Sequence, residues 1–300
     1  MDWEKCEVLL TVLEEGSLTG AAEKLSYTTS GISRMIASME KETGFPLLIR
    51  SREGVRPTGE CERLLPTVRE ITYWGRHFTE QIQSIGGLSV GRICVGTAYE
   101  AFYPWLSQII AAFSKQYPGI QIDIMEGTSS ELTGAVTEHR CDFCISSRRK
   151  GDFRFRTLIW DEVVSILQRG HPLAAEEGIL LQAVEQEPYI DLYSGKETDN
   201  SIIFNKYDVH PVPRYCTTDR YAGYAMVEAG LGLAMENKLI ARRYQDRIDM
   251  RPLIPRQFVE IGLVYPAEET ISPAAQAFVS FALSKEEQAK DIARGLENKI

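Results

Sequence analysis

Two short polar segments carry side chains that suit contacts to a nucleic acid. Serine and threonine hydroxyls can donate hydrogen bonds to phosphates and base edges, and an arginine can bind a phosphate or a guanine. The arginines of the second segment would follow the phosphate backbone. The candidate DNA-contacting residues are Thr28, Thr29, Ser30, Ser33, Arg34, Arg50, Arg52, Arg56 and Thr58.

A glycine-flanked serine raises the alternative of an enzyme. Gly87-Leu88-Ser89-Val90-Gly91 matches G-x-S-x-G, the nucleophile elbow of serine hydrolases. That elbow requires a strand before the serine and a helix after it. The residue patterns here predict the reverse order. We therefore favour a glycine-rich connector at this position and expect neither a catalytic residue nor an enzyme. A serine hydrolase stays as a remote alternative.

The cysteines offer a second chemistry. Cys141-Asp142-Phe143-Cys144 has C-x-x-C spacing, but a zinc site needs a second pair of ligands nearby, and the sequence has none. The six cysteines are scattered along the chain, which is typical of reduced thiols. We expect no metal and no cofactor, and the sequence leaves open whether any cysteine is redox-active.

Capping residues and apolar spacing predict three helices before residue 44. The first would end at Gly16, the second would follow Ser17, and the third would follow Thr28, because glycine stops a helix and a hydroxyl side chain caps its first turn. Helix, tight turn, helix is the helix-turn-helix layout, whose second helix enters the major groove. Residues 44–58 then read as an apolar strand and a basic turn, which predicts a β-wing.

From Gly59 a long helix is predicted, ending at Gly86-Gly87. Its apolar residues recur seven apart in a narrow stripe, a pattern that suits a partner helix better than a globular core. This pattern predicts a homodimer. The predicted seam residues are Val68, Ile71, Phe78, Ile82 and Ile85.

After residue 88 the pattern changes to alternating strands and helices. The β-α-β-α-β order predicts a parallel sheet with helices on its faces, and a second, similar set follows. Two lobes in one chain, with a final helix at residues 273–283 returning to the first, would form a hinged cleft. The predicted domains are residues 1–58, 59–87 and 88–300, with lobe I at about 88–160 and 266–300 and lobe II at about 161–265.

Ligands of open α/β sheets bind outside the carboxyl ends of the strands. The loops at those ends are polar, although each polar residue could instead cap a helix or stabilise its loop. The candidate effector-binding residues are Thr97, Tyr99, Glu100, Thr128, Ser129, Ser147, Tyr193, Thr218 and Asp219.

The charges of this set predict the character of the ligand. Glu100 and Asp219 facing one cleft would repel a small dianion unless Arg148 or Arg220 intervened. We therefore expect a neutral, cationic or zwitterionic effector, with aromatic character favoured by Tyr99, Phe102 and Tyr193.

The motifs resemble those of the LysR-type transcriptional regulators across nearly the whole chain. The resemblance is carried by residues 15–25, by Ser30-Gly31-Ile32-Ser33-Arg34 and by residues 44–50 with Pro57-Thr58. His171-Pro172-Leu173-Ala174 and residues 229–234 resemble features of the family's effector domain. Thr29, Cys61 and Asn237 depart from residues common in the family, and Thr29 puts the base preference in doubt.

The resemblance implies an α/β fold with an all-α N-terminal part: a winged helix-turn-helix, a long linker helix and a two-lobed effector domain shaped like a periplasmic binding protein. It implies sequence-specific binding to promoter DNA as a homodimer or homotetramer, modulation by a small-molecule effector, and RNA polymerase as a further partner. The identity of the effector and the target promoter stay open. So do the direction of regulation, activation or repression, and the choice between a dimer and a tetramer.

Composition sets the remaining limits. A net charge of −9 disfavours a chain coated by nucleic acid, but one DNA-binding module needs only a local basic surface. No run of 18 apolar residues exists and the N-terminus lacks a signal-peptide pattern, so we expect a cytoplasmic protein without membrane contact. A free-standing solute receptor would account for two lobes but not for the N-terminal domain.

Overall fold

The structure is a computed structural model that describes residues 2–52, 54–85, 90–267 and 270–295. The chain divides into two compact units. The first holds residues 1–91 with the short segments 138–140 and 272–274, and the second holds the rest.

The first unit begins with three helices, and their ends confirm the predicted caps. The helices are α1 (Trp3–Glu15), α2 (Leu18–Lys24) and α3 (Thr29–Thr43). Gly16 ends α1 with a φ of 58°, a left-handed conformation that glycine adopts without strain. The side chains of Ser17 and Thr28 accept hydrogen bonds from the backbone N–H groups of Gly20 and Gly31, which starts α2 and α3.

The three helices share one apolar core. Leu9 of α1 and Ile32, Ile36 and Met39 of α3 are fully buried, so α3 turns one apolar face towards the core. Ala21 is also fully buried in this core. Its small side chain lets the crossing helices approach closely.

The predicted wing is confirmed as two antiparallel strands, β1 (Leu48–Ser51) and β2 (Gly54–Pro57). The backbone N–H of Val55 donates to the carbonyl of Gly16 at 2.8 Å and ties the wing to the end of α1. Gly54 has a φ of 125°, and a Cβ there would lie 2.9 Å from the Gly16 carbonyl oxygen. Glycine is therefore required at this position.

A long helix, α4 (Gly59–Ile85), follows the wing. Thr58 caps it, since its Oγ1 accepts the backbone N–H of Cys61 at 3.1 Å. Gly75 permits close approach of Trp3 on α1, because a Cβ at Gly75 would lie 2.4 Å from the indole. An ion pair at 2.7 Å between Arg76 and Glu7 joins the same two helices.

The remaining elements alternate between strands and helices. The strands are β3 (Val90–Thr97), β4 (Gly119–Met125), β5 (Phe143–Ser147), β6 (Arg154–Gln168), β7 (Ile179–Leu180), β8 (Tyr189–Leu192), β9 (Pro213–Thr217), β10 (Ala234–Asn237) and β11 (Ile248–Tyr265). The helices are α5 (Tyr103–Gln116), α6 (Ser129–Thr137), α7 (Asp199–Tyr207), α8 (Arg220–Glu228), α9 (Lys238–Ala241), α10 (Pro273–Leu283) and α11 (Glu286–Gly295).

The sheet differs from the purely parallel one that the element order predicts. Within the described residues, seven strands join in the order β10-β6-β11-β5-β3-β4, with β7 beside β11. β3 and β5 are parallel as expected, whereas β11 runs antiparallel to both β5 and β6. β6 and β11 pair from Ile248 with Gln168 to Tyr265 with Arg154, so two long strands continue through both lobes.

Each lobe has its own core around these long strands. Lobe I is defined here by β3, β4, β5, α5 and α6, and lobe II by β8, β9, β10, α7 and α8. Phe278 of α10 lies edge-on to Phe113 and Phe143, so this C-terminal helix packs against lobe I. Tyr224 and Val227 are buried in the core of lobe II.

Candidate DNA interface and effector site

The N-terminal end of α3 presents the first predicted DNA contacts. Thr28, Thr29, Ser30 and Arg34 are exposed, and Ser33 is half-buried. The Thr28 hydroxyl is the helix cap and lies 3.2 Å from the Ser30 hydroxyl. This end of the helix therefore offers exposed polar side chains next to backbone N–H groups that favour an anion.

The wing places its arginines at the surface. Arg50, Arg52 and Arg56 are exposed. Arg34, Arg50 and Arg52 form no ion pair within the part of the chain that the structure describes, so their charge is available to phosphates. Thr58 differs from them, because its hydroxyl donates to the Pro46 carbonyl at 2.9 Å besides capping α4.

Helix α4 carries an exposed apolar stripe. Ile71 is 37% exposed, Phe78 63%, Ile82 54% and Ile85 88%, although apolar side chains normally avoid water. Val68 was expected in the same seam, and that prediction is wrong: Val68 is 4% exposed and packs in the core formed with α1. Trp74, 40% exposed, belongs to the stripe and was missed.

A cleft with an empty volume of about 510 Å³, partly open to solvent, lies between the two lobes of the second unit. Both lobes contribute backbone and side chains to its wall. The lining residues are Ala98, Tyr99, Gly127, Thr128, Ser129, Arg149, Leu192, Tyr193, Thr198, Asp199, Asn200, Arg220, Met235, Glu236 and Asn237.

A buried ion pair crosses this cleft. Arg149 of lobe I donates from Nη2 to Asp199 Oδ1 of lobe II at 2.8 Å, and both side chains are close to nine-tenths buried. The Ser147 hydroxyl donates to the same oxygen at 2.5 Å, and the Tyr99 hydroxyl donates to Oδ2 at 2.7 Å. Burial and the Asp199 carboxylate raise the pKa of Tyr99, which keeps its hydroxyl protonated as a donor.

More exposed contacts join the lobes at the rim. Lys196 pairs with Glu131 at 2.8 Å, and the Ser130 hydroxyl donates to Glu197 Oε1 at 2.7 Å. Glu197 also lies 3.7 Å from Arg149. Solvent screens these contacts, so the buried pair dominates the electrostatics of the closed cleft.

A second ion pair lies on the lobe II wall. Arg220 donates from Nε to Glu236 Oε2 at 2.9 Å, and its guanidinium lies 5.7 Å from the Tyr193 ring centre. Burial raises the pKa of Glu236, and the facing guanidinium opposes that rise. Both arginines of the lining are therefore neutralised by carboxylates of the chain itself.

The predicted effector set is only partly brought together. Tyr99, Thr128, Ser129 and Tyr193 line the cleft. Ser147 lies behind the wall, 1% exposed, where it holds Asp199. The remaining four predicted residues, Thr97, Glu100, Thr218 and Asp219, are not lining residues.

Local structure accounts for two of these displaced residues. Thr97 is buried, and its hydroxyl contacts the backbone N–H and carbonyl of Tyr99. Asp219 is exposed and caps α8 by accepting the Ala222 N–H at 3.2 Å. Since neither Asp219 nor Glu100 lines the cleft, the charge argument for a neutral, cationic or zwitterionic effector loses both of its carboxylates.

Several of the thiols have a raised pKa. Hydrogen bonding between neighbouring thiols and burial raise the pKa of Cys94 and Cys141, and burial raises that of Cys61 to about 11. Thiols with a raised pKa stay protonated at neutral pH and are therefore poor nucleophiles. No group of three or more His, Cys, Asp or Glu residues suited to a metal ion occurs among the described residues.

Residues 86–89, which include the serine of the G-x-S-x-G motif, lie outside the described residues. No helix within the described ranges is long and apolar enough to cross a membrane.

Comparison with known proteins identifies the class. Residues 3–62 match the family described as bacterial regulatory helix-turn-helix protein, lysR family, and residues 86–286 match the LysR substrate binding domain. These matches cover most of the chain, which therefore belongs to the LysR family. It is a DNA-binding transcriptional regulator with an effector-binding domain.

Individual relatives agree with this assignment. The uncharacterised HTH-type transcriptional regulator YvbU of Bacillus subtilis (strain 168) is 26% identical over 92% of this chain and 96% of that relative. The HTH-type transcriptional regulator CbbR of Sinorhizobium medicae (strain WSM419) is 27% identical over 90% and 88%. A full-length OxyR variant from Pseudomonas aeruginosa is 17% identical with a TM-score of 0.67, covering 95% and 97% of the two chains, which shows a shared fold.

Proposed function

We propose that the chain binds promoter DNA through residues 28–34 of the α3 region in the major groove, with the wing arginines on the phosphates. The observation that carries this proposal is the exposed N-terminal end of α3, where Arg34 has no ion-pair partner among the described residues. A CbnR structure that shares the fold, at a TM-score of 0.56 and 18% identity, is complexed with its target DNA. Residues 1–58 are the proposed DNA-binding domain.

A small-molecule effector in the cleft is the proposed regulatory signal. The cleft is lined by polar side chains of both lobes, so a ligand there contacts both and can shift their relative position. The effector binding domain of QuiR, 21% identical with a TM-score of 0.53, has been solved in complex with shikimate. Residues 88–300 are the proposed effector-binding domain.

Residues 59–87 are the proposed dimerisation helix, with the exposed stripe of α4 as its seam. We place the protein in the cytoplasm, where DNA and reduced thiols are found, and assign it no catalysis. RNA polymerase is a proposed further partner of the DNA-bound form.

Genome-wide mapping of the sites bound in cells, followed by quantitative footprinting at the strongest site, tests the proposal. We expect a small number of sites with an interrupted palindrome, since a two-fold symmetric dimer reads two related half-sites. The protected bases should lose their protection when the exposed residues Thr29, Ser30 and Arg34 are exchanged for alanine. Binding without any shared sequence would contradict the proposal.

A further inference from the structure

Asp199, the first residue of α7, is held by donors from the opposite lobe. Its carboxylate accepts from the Tyr99 hydroxyl, the Ser147 hydroxyl and the Arg149 guanidinium at 2.7, 2.5 and 2.8 Å. All three donors belong to lobe I. Together they surround both carboxylate oxygens, as a binding site for a carboxylate ligand would.

The donors are fixed independently of Asp199. Arg149 donates from Nε to the Ser130 hydroxyl at 2.8 Å and from Nη1 to the Ser147 hydroxyl at 2.7 Å, so its guanidinium is oriented by lobe I itself. The Ser129 hydroxyl accepts the Ser147 backbone N–H at 3.0 Å and supports the same wall. Removing the Asp199 carboxylate would therefore leave an assembled anion site with a buried positive charge.

We propose that Tyr99, Ser147 and Arg149 form a carboxylate-binding site in lobe I, which Asp199 of lobe II occupies as a tethered competitor of a carboxylate-bearing effector. The proposal rests on the proposed function, in which the effector binds in this cleft. An effector carboxylate that replaces Asp199 breaks the most buried polar contact between the lobes. Effector binding and opening of the cleft are thereby the same event.

The competition sets the required ligand concentration. A group on a short tether has an effective concentration in about the millimolar range. A free carboxylate must therefore be present at a higher concentration than this to replace Asp199, unless the rest of the ligand adds contacts. Asn200, Arg220 and Asn237 line the same cleft and offer polar partners for those further contacts. The ligand class is a small organic carboxylate with additional polar groups.

The test uses full-length protein, Asp199→Ala, and sodium acetate as the probe. Acetate should raise the midpoint of thermal unfolding of Asp199→Ala above the effect of equal sodium chloride, because it restores the missing counter-ion. The apparent dissociation constant of acetate should be at least about tenfold lower for Asp199→Ala than for the wild type, which still carries its tethered competitor.

Two further variants make the result specific. Asp199→Ala combined with Arg149→Met should lose the acetate effect, because the cationic donor is gone. Glu176→Gln removes an exposed carboxylate that does not line the cleft, so it should gain no acetate binding. Should Asp199→Ala fail to fold, Asp199→Asn keeps the shape of the side chain without its charge and should show the same gain in reduced form.

An acetate effect that is equal in the wild type and Asp199→Ala, or that survives Arg149→Met in the double variant, overturns the proposal. The measurement contains no DNA, so this failure leaves the proposed transcriptional function standing. The converse outcome is that acetate binds as expected while the mapped DNA sites share no sequence. That result would contradict the proposed function and leave the carboxylate site standing.

Discussion

The arginines of the first unit differ in what surrounds them, and this predicts different effects on DNA binding. Arg34 lies on the helix that enters the major groove, whereas Arg52 lies on the wing. Arg34→Ala should cost about 1–3 kcal/mol of binding free energy at the cognate site and relax the preference at one base pair. Arg52→Ala should weaken binding to all sequences alike. It should also reduce the slope of the logarithm of the binding constant against the logarithm of the salt concentration by about one unit.

Footprinting titrations at several salt concentrations measure both effects. Arg76→Ala serves as the control, because Arg76 is already paired with Glu7 and lies on α4 rather than on the DNA-reading helix. It should leave DNA affinity unchanged. A loss of affinity that is the same for Arg34→Ala on cognate and random DNA would assign Arg34 to the backbone instead.

Asp161 predicts a pH dependence of stability. Burial raises the pKa of this carboxyl to about 6, although both oxygens accept the Leu239 N–H at 3.2 Å. The folded state favours the protonated form of Asp161. The resulting contribution to the free energy of unfolding is therefore fully present below the unfolded pKa of about 4 and is lost as the pH rises through about 6. Asp161→Asn should therefore gain stability relative to the wild type as the pH rises, by on the order of 1–3 kcal/mol.

Thermal unfolding of both proteins between pH 4 and pH 8 tests this. Glu176→Gln removes an exposed carboxylate and controls for the change in net charge. A constant difference in midpoint between Asp161→Asn and wild type across that range would show that folding does not raise the pKa of Asp161.

At the scale of elements, the exposed stripe of α4 predicts an oligomer that a single charge disrupts. Phe78 is 63% exposed in the single chain and lies near the middle of the stripe. Phe78→Asp would place an unpaired carboxylate in an apolar contact, which costs several kcal/mol when water is excluded. We expect sedimentation to show dissociation and footprinting to show weaker DNA binding.

The matched control is Gln83→Asp, which adds the same charge on the opposite side of the same helix, about 140° from Phe78 at 100° per residue. It should leave the sedimentation coefficient unchanged. If Phe78→Asp sediments as the wild type does, the stripe of α4 is not the dimer seam.

The elements that the sequence predicts best are those with local signals. Gly16, Ser17 and Thr28 determine the ends of the first helices through contacts within a few residues, so their pattern could be read directly. Thr198 and Ser201 form a capping box that starts α7, and this signal is equally local. Helix ends that depend on contacts within a few residues can therefore be predicted from the sequence.

The long strand β11 could not be read in the same way. Only residues 261–265 have a clear strand pattern, since Pro252 and Pro255 interrupt the earlier half. In the structure the register with β6 shifts between Pro252 and Gln257, so the prolines fall at the irregularity. The partner strand is some ninety residues earlier, which no local pattern indicates. Arg149 and Asp199 were missed for the same reason, since they lie 50 positions apart.

At the scale of the whole effector domain, the contacts between lobes predict unequal contributions to stability. Arg149 and Asp199 are about nine-tenths buried, whereas Lys196 and Glu131 at the rim are more than 40% exposed. Breaking one partner of a buried pair leaves an uncompensated charge and costs about 3–5 kcal/mol, while an exposed pair contributes about 0–1 kcal/mol. Arg149→Met should therefore destabilise the protein far more than Lys196→Ala.

Replacing both buried partners separates the charge from the packing. Arg149→Met combined with Asp199→Leu removes the two charges together, and apolar side chains of similar size often substitute for a buried ion pair at little cost. Urea unfolding followed by circular dichroism should therefore show the double variant more stable than Arg149→Met alone. If the double variant is as unstable as the single one, the contact between the lobes depends on shape rather than on charge. In that case, hydrogen exchange in β8 and β9 of the double variant should rise to the level of Arg149→Met, because closure of the lobes would then be lost in both proteins.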